Sequence, residues 1–389
     1  MNEIVEHTIN SVQKAKKSFC KFISANDAGS TGAHQSGYYI PKNAFSLLFD
    51  QPGEKGSNKE RFVTIKWQND FETNSRFIYY GTGTRNEYRV TRFGRGFPYL
   101  NDDSVGNLLI LSHISDDYYE AFVLESDDDF ETFFIAFNIN ANETNRIIPK
   151  TSEIHVEDTL LSCFKAFIKT LNNQFPPTQL MAENARRCYN SANKITRQVI
   201  TQNPDINLLN WLEAEFELFK ILENNVYAEQ IEKLFTNVEE LVAFANTILN
   251  RRKSRAGKSL EYHLEEIFKN FDLNFDTQII TEGNKKPDFI FPGFESYHNL
   301  AFNEDNLIFL ASKTTCKDRW RQIINEADRV KTKHLFTLQQ GISINQLKEM
   351  TQHHVKLVVP APYIRTFPEQ FRHEILSLDQ FISHVKHIQ

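Results

Sequence analysis

Pro287-Asp288, Lys313 and Glu326 are the residues of this chain whose types and spacing could do chemistry. Asp288 lies in Lys285-Lys-Pro-Asp-Phe-Ile-Phe291, a turn opening onto an apolar run. Lys313 follows Leu307-Ile-Phe-Leu-Ala-Ser312, a second apolar run of strand length. A carboxylate and an ammonium on adjacent strands could share one site. Carboxylates are the hard oxygen donors that Mg2+ prefers. Such an ion lowers the pKa of a bound water and neutralises charge developing on a phosphate. The lysine would orient that water or stabilise the same charge. The pattern reads as a metal-dependent phosphodiesterase.

Its third member is displaced. The usual nuclease pattern carries an acid two residues before the lysine, and Ala311 stands there. Downstream, Trp320, Ile323, Ile324, Ala327 and Val330 form an apolar stripe at helical spacing, with Glu326 at its edge. A carboxylate turned toward a core is costly unless paired or bound to metal. Glu326 could therefore replace the missing acid from a helix. Spacing alone leaves another reading open, in which a strand-end Asp, a surface Lys and a helix-flank Glu share no role.

The elements that must position these groups follow from periodicity. The first 140 or so residues hold short strand-like runs at 62–67, 76–80, 108–111, 119–124 and 133–137, separated by turn residues, which predicts an all-β barrel or sandwich. Helical periodicity begins near residue 156, and Pro176-Pro177 marks a domain join because neither proline can continue a helix. Leu208, Leu212, Phe216, Phe219 and Leu222 predict one amphipathic helix, and residues 260–268 another. Helices then alternate with apolar strands, including 334–338 and 355–359, as in an α/β core. The expected domains are 1–174 and 175–389.

At 389 residues, 40% hydrophobic, the chain can build two cores. A net charge of −6 argues against indiscriminate coating of nucleic acid. Basic residues nevertheless cluster, at 85–95, 251–258 and 313–321, so a basic cleft on an acidic body can still steer DNA. Cys20, Cys163, Cys188 and Cys316 lack the paired spacing of a zinc site and are expected as reduced thiols of a cytoplasmic protein. The start of the chain lacks a signal peptide's pattern, and no apolar stretch approaches the roughly 20 residues that span a bilayer.

Several longer blocks carry a resemblance. Gly283-Asn-Lys-Lys-Pro-Asp288-Phe, the run Lys313 to Asp328, and Asn250-Arg-Arg-Lys-Ser-Arg-Ala-Gly-Lys-Ser-Leu-Glu261 resemble the EcoRII restriction endonuclease family. So do the runs Ser24 to Pro41 and Thr84 to Gly96, in the same order. The resemblance implies an N-terminal DNA-binding β-pseudobarrel and a C-terminal restriction-endonuclease-like core whose acid migrates from strand to helix. It implies a type II endonuclease of a restriction system, hydrolysing double-stranded DNA with Mg2+ at 5′-CCWGG or a close relative. Asp288 and Glu326 would hold the metal, Lys313 would serve the water, and Glu261 would join the cluster, although spacing alone equally fits a solvated helix glutamate there. It further implies a homodimer, a second copy of the site bound as effector by the N-terminal domain, which blocks the cleft until DNA releases it, and a cognate DNA methyltransferase as functional partner.

DNA contacts can be placed on the same blocks. Lys317-Asp318-Arg319 offers donors to guanine and an acceptor for cytosine N4; the alternative is a helix start capped by Asp318. Arg252 and Arg255 lie in the basic block beside Glu261. Arg85, Glu87 and Arg89 match the family's effector-binding loop, with two departures: Gly83 and Tyr88 stand where EcoRII has lysines. Asn26, Asp27, His34 and Gln35 lie in a Gly-punctuated arm that could enter a groove. Two other functions fit: a DNA-binding protein with a decayed nuclease core, and a modification-dependent endonuclease with an aromatic base pocket in the N-terminal domain.

Overall fold

The computed structural model describes residues 3–29, 37–150 and 157–389. The N-terminal part comprises α1 (Glu3–Lys14), β1 (Lys17–Phe22), the short α2 (Ala25–Ala28), β2 (Tyr38–Ile40), β3 (Lys59–Trp67), β4 (Phe71–Tyr80), β5 (Glu87–Thr91), β6 (Leu108–Ser115), β7 (Tyr118–Leu124), α3 (Asp127–Phe137) and β8 (Arg146–Ile147). Its eight strands form one sheet in the order β2-β5-β4-β3-β7-β6-β1-β8. Neighbours are antiparallel except β3 and β7, which run parallel with Thr64 opposite Tyr118. Alternation drives the pairing, for along β3 Val63, Ile65 and Trp67 turn inward between outward polar residues. The inner face closes on an aromatic core around Trp67, Phe77, Tyr79, Tyr88 and Tyr119.

Residues 133–137, expected as a strand, are the last turns of α3. Ser126 caps that helix by accepting from the Asp129 N–H. Three aspartates in the first turn complement the helix dipole. Phe130, Phe133 and Phe134 then fall at helical spacing and are buried. Five residues without the preceding cap read as strand; with it they are a helix end.

Five helices connect the halves: α4 (Asp158–Lys169), α5 (Thr178–Ala192), α6 (Arg197–Gln202), α7 (Pro204–Glu232) and α8 (Val238–Asn270). Pro176-Pro177, expected as a domain join, lies between α4 and α5, whose Phe164, Phe167, Met181 and Ala185 share one core. The four thiols are not all reduced: Cys163 and Cys188 form a disulfide between α4 and α5, with Cα atoms 5.6 Å apart, while Cys20 and Cys316 are free and buried. Antiparallel packing of two helices brings together cysteines 25 residues apart, which sequence spacing does not reveal.

The C-terminal part continues with β9 (Asp276–Thr277), β10 (Phe289–Phe291), α9 (Phe294–His298), β11 (Ile308–Lys313), β12 (Lys333–Thr337), α10 (Ile344–Gln352), β13 (Val355–Val358) and α11 (Leu378–Ile388). Its sheet runs β13-β12-β11-β10-β9, with β11, β12 and β13 parallel and β9, β10 and β11 antiparallel. Leu260, Leu264, Ile267 and Phe268 of α8 and Phe381 of α11 bury one face of this sheet, around Phe289, Phe291 and Leu310. Each such side chain contributes roughly 1.5–3 kcal/mol by leaving water. That core is continuous with Phe22, Leu108 and Phe130 of the N-terminal part. The two halves also meet backbone to backbone at Gly106 and Gly341, both with positive φ; a Cβ on Gly106 would lie 2.4 Å from the Gly341 carbonyl oxygen. Among the described residues no helix is long and apolar enough to cross a membrane.

Candidate active site and DNA-reading surface

Asp288 immediately precedes β10 and Lys313 ends β11, the adjacent antiparallel strand. The pairing of Phe289 with Leu310 brings Asp288 beside Ser312. One Asp288 oxygen, Oδ2, accepts from the Ser312 N–H at 2.8 Å and from its hydroxyl at 3.3 Å. The other, Oδ1, accepts from Gln278 Nε2 at 3.1 Å, and the same nitrogen lies 3.4 Å from Glu261 Oε2. Glu261 projects from α8 and also takes Lys258 Nζ at 2.6 Å. Asp288 and Glu261 are thus joined through one amide.

Glu326 reaches the cluster from a loop rather than a helix. Only Arg319–Ile323 form a short 3-10 turn, and Ala327 adopts φ +50°, which ends any continuous helix. The apolar stripe is still core, since Trp320, Ile323, Ala327 and Val330 are all buried; successive tight turns preserved its spacing. Two lysines pin the loop on either side of Glu326. Lys285 Nζ donates to the Asn325 carbonyl and Lys333 Nζ to the Ala327 carbonyl.

The acids feel one another. Burial raises the Glu261 pKa, the Lys258 ammonium opposes this, and Asp288 adds to the rise. Burial likewise raises Glu326, Lys313 opposes, and Asp288 adds. A group of carboxylates held partly out of water beside one ammonium suits binding of a cation. Among the described residues no three His, Cys, Asp or Glu side chains converge closely enough to enclose a metal ion. The donor chemistry nevertheless fits a hard divalent ion, with two acids sharing an amide and a third coupled to both Asp288 and Lys313.

The triplet Lys317-Asp318-Arg319 follows Lys313 and meets the N-terminal half. Lys317 is buried, its Nζ donating to the Val105 carbonyl at 3.2 Å, and burial pulls its pKa down to about 8. Asp127, at the start of α3, accepts from the Asp318 and Arg319 N–H groups at 2.9 and 3.0 Å. Arg319 pairs with Asp128 at 2.9 Å and Glu131 at 2.6 Å. A hydrogen bond with Asp127 pushes the Asp318 pKa up to about 6; Asp127 itself is held below the usual range, its hydrogen bonds outweighing its burial. Asp318 precedes the 3-10 turn but makes no side-chain cap. Between α3 and this face lies a cavity of about 250 Å³ lined by Glu131, Phe134, Glu261, Lys313 and Arg319. It has no room for a duplex.

Two family profiles match the chain: "Restriction endonuclease EcoRII, N-terminal" over residues 12–150 and "EcoRII C terminal" over residues 219–382. The type II restriction enzyme EcoRII of Escherichia coli is 36% identical over 382 residues, covering 94% of this chain and 93% of that one. The chain belongs to the EcoRII family of type II restriction endonucleases. Solved structures that resemble it include metal-depleted Ecl18kI with uncleaved DNA, at 18% identity and a TM-score of 0.46 over 58% of this chain and 83% of that one. Another is the PspGI–substrate DNA complex, at 15% identity and a TM-score of 0.44 over 55% and 93%.

The two positions expected to depart from the family, Gly83 and Tyr88, serve the local fold here. Tyr88 points into the N-terminal core and its hydroxyl accepts from the Gly53 N–H at 2.7 Å, while Gly83 holds a turn at φ +62°. A lysine at 88 would bury its ammonium. In the same loop Arg85 is exposed and lies over the Tyr80 ring at 5.0 Å. Arg89, expected to face DNA, is only 3% exposed; it donates to the Gly37 carbonyl and pairs with Glu87, both at 3.2 Å. Arg252 and Arg255 depart likewise. Arg252 donates to Glu223 at 2.8 Å and to the Ile135 carbonyl at 3.0 Å. Arg255 is buried over the Phe216 and Phe219 rings and donates to Asn140 at 3.0 Å. Both bind the helices to the region just around α3 rather than projecting outward. Asn26 is half-buried on α2, Asp27 is buried against Lys21 at 2.6 Å, and His34 and Gln35 lie outside the described residues.

Sequence reasoning missed Gln278 and the acids of α3. Gln278 becomes visible only through the β9–β10 register, which sets it opposite Asp288. Asp127-Asp128-Asp129 and Glu131 are plain in the sequence as an acidic run set apart from the basic clusters, but nothing in the run names Arg319 as partner.

Proposed function

We propose that this EcoRII-family enzyme hydrolyses double-stranded DNA with Mg2+ at 5′-CCWGG or a close relative, leaving 5′-phosphate and 3′-hydroxyl ends. The observation that carries the reading is the meeting of Asp288, just before β10, with Lys313 of β11 and Glu261 of α8, and Glu326 beside them. Asp288 and Glu326 would hold the metal, assisted by Glu261. When bound, Mg2+ supplies a Lewis acid for the phosphate and acidifies water. Ser312 fixes one oxygen of Asp288 and leaves the other directed at the cluster. Lys313, the only ammonium ending β11, orients the attacking water and stabilises charge on the phosphate. Lys285 and Lys333 keep Glu326 in reach by holding its neighbouring carbonyls.

Lys317, Asp318 and Arg319 would read the G·C steps, with Arg319 on guanine and Asp318 on cytosine N4. In the arrangement described, α3 carboxylates stand against that triplet where DNA would lie. This supports control by a second copy of the site, bound at the N-terminal domain through Arg85 and Glu87, which draws α3 away. A homodimer suits a palindromic site. Support comes from the tip of the α7–α8 hairpin, where Ile231, Leu234, Val238, Leu241 and Val242 are each exposed and offer apolar side chains for a second copy to cover. A methyltransferase protecting the same sequence completes the system in a cytoplasmic setting.

The test is a plasmid bearing one unmethylated site. Slow cutting alone, fast cutting in Mg2+ when a short CCWGG duplex is added in trans, and none in chelator are the expected results. Equal cutting of a plasmid without the site would remove the specificity; cutting in chelator would remove the metal.

A further inference from the structure

We propose that Gln278 is a positioning residue of the metal site, a neutral clamp that holds Asp288 and Glu261 toward one another. The proposal rests on the reading of those two acids as metal holders. Gln278 stands directly across from Asp288, because Thr277 pairs with Phe289, and its N–H donates to the Pro287 carbonyl at 3.0 Å. Its single Nε2 then faces Asp288 Oδ1 at 3.1 Å and Glu261 Oε2 at 3.4 Å. Ionised carboxylates only accept hydrogen bonds, so the NH2 end of the amide must face them. The backbone at Gln278 is left-handed, φ +53°, a conformation a glutamine adopts only when its surroundings impose it.

The chemistry explains why an amide stands there. Two carboxylates brought together for a cation repel each other before it arrives. A lysine or arginine could bridge them but would cancel the charge that attracts the ion. A primary amide brings two N–H donors and no charge. Competition is present as well: Lys258, half-exposed, holds the same Glu261 oxygen at 2.6 Å. Without Gln278, Glu261 is left to Lys258 and turns outward, away from Asp288.

The test uses the full chain and calcium alone, titrated calorimetrically without DNA, on wild type, Gln278→Asn and Gln278→Leu. Asn tolerates left-handed backbone well and keeps the amide, but one methylene shorter it cannot span both acids. Both variants should bind calcium about 10-fold more weakly, the usual scale for losing a group that orients metal ligands. The Mg2+ concentration for half-maximal cutting should rise by the same factor, with the rate at saturating Mg2+ within about threefold of wild type. Unchanged calcium affinity in Gln278→Asn overturns the proposal, as does a lost maximal rate with calcium affinity kept. A wild type that takes up no calcium would instead fail the metal reading of Asp288 and Glu261, and this proposal with it.

Discussion

Asp128 and Glu131 hold Arg319 from the far side of the contact between α3 and the catalytic face, and replacing both with Ala should open it. Glu131 meets Arg319 at 2.6 Å with three-quarters of each side chain covered; Asp128 meets it at 2.9 Å but is 90% exposed. Exposed pairs contribute a few tenths of a kcal/mol and better-covered ones about 1. The double variant therefore loses about 1–2 kcal/mol of closure, roughly a 5- to 30-fold shift toward the open arrangement. Neither side chain is part of the core, so the fold should survive. The assay is the initial rate of cutting on a single-site plasmid in Mg2+ without added duplex. That rate should rise by the stated factor, while the rate with saturating duplex in trans stays at the wild-type value. If the unaided rate does not rise, the α3 carboxylates are not what restrains the triplet.

Other expectations follow from the same geometry. Lys313→Ala should abolish cutting and keep DNA binding on a gel shift; full cleavage would remove Lys313 from the site. Arg319→Ala should weaken discrimination at one base pair by about 1–3 kcal/mol, read from cutting of singly substituted sites, because a bidentate guanine contact is lost; an unchanged preference would exclude it from readout. Closure should be weakest between about pH 6 and 8. Asp318 has its pKa raised in the closed arrangement from 3.8 to about 6, so the stabilisation it gives closure is present below about 4 and lost as pH rises through 6. Lys317 has its pKa lowered from 10.5 to about 8, so burying it is unfavourable below 8 and eased as pH rises toward 10. Duplex dependence measured from pH 5 to 9 should therefore pass through a minimum; a flat profile would contradict the assignment of these two groups to the contact.

The catalytic strands were legible because each is a short apolar run bounded by a charged residue, Asp288 before β10 and Lys313 at the end of β11, a length and flanking that favour a buried strand. The blocks around Asp288, Lys313 and Glu261 carried the family as well. Other features depend on what lies outside any local window. Residues 133–137 look like a strand until the cap at Ser126 is counted. The Trp320–Val330 stripe has helical spacing, yet it is built of tight turns around Ala327, whose backbone a helix would not allow. Arg89, Arg252 and Arg255 sit in basic clusters that suggest an exposed surface; each is instead consumed by a buried acceptor or ring that sequence does not place beside it. Cys163 and Cys188 meet only because α4 and α5 pack side by side. Gln278 and the α3 carboxylates are defined by register and by the contact between the halves.

The most direct test is Mg2+-dependent cleavage of an unmethylated plasmid carrying several CCWGG sites, with the fragment ends sequenced. Cuts at every such site, absent in the Asp288→Ala protein, are expected. Cuts at another motif would keep the active site and remove Lys317, Asp318 and Arg319 from readout of G·C steps. No cutting, even with site duplex added in trans, would contradict the assignment of Asp288, Lys313, Glu261 and Glu326 as a working nuclease centre.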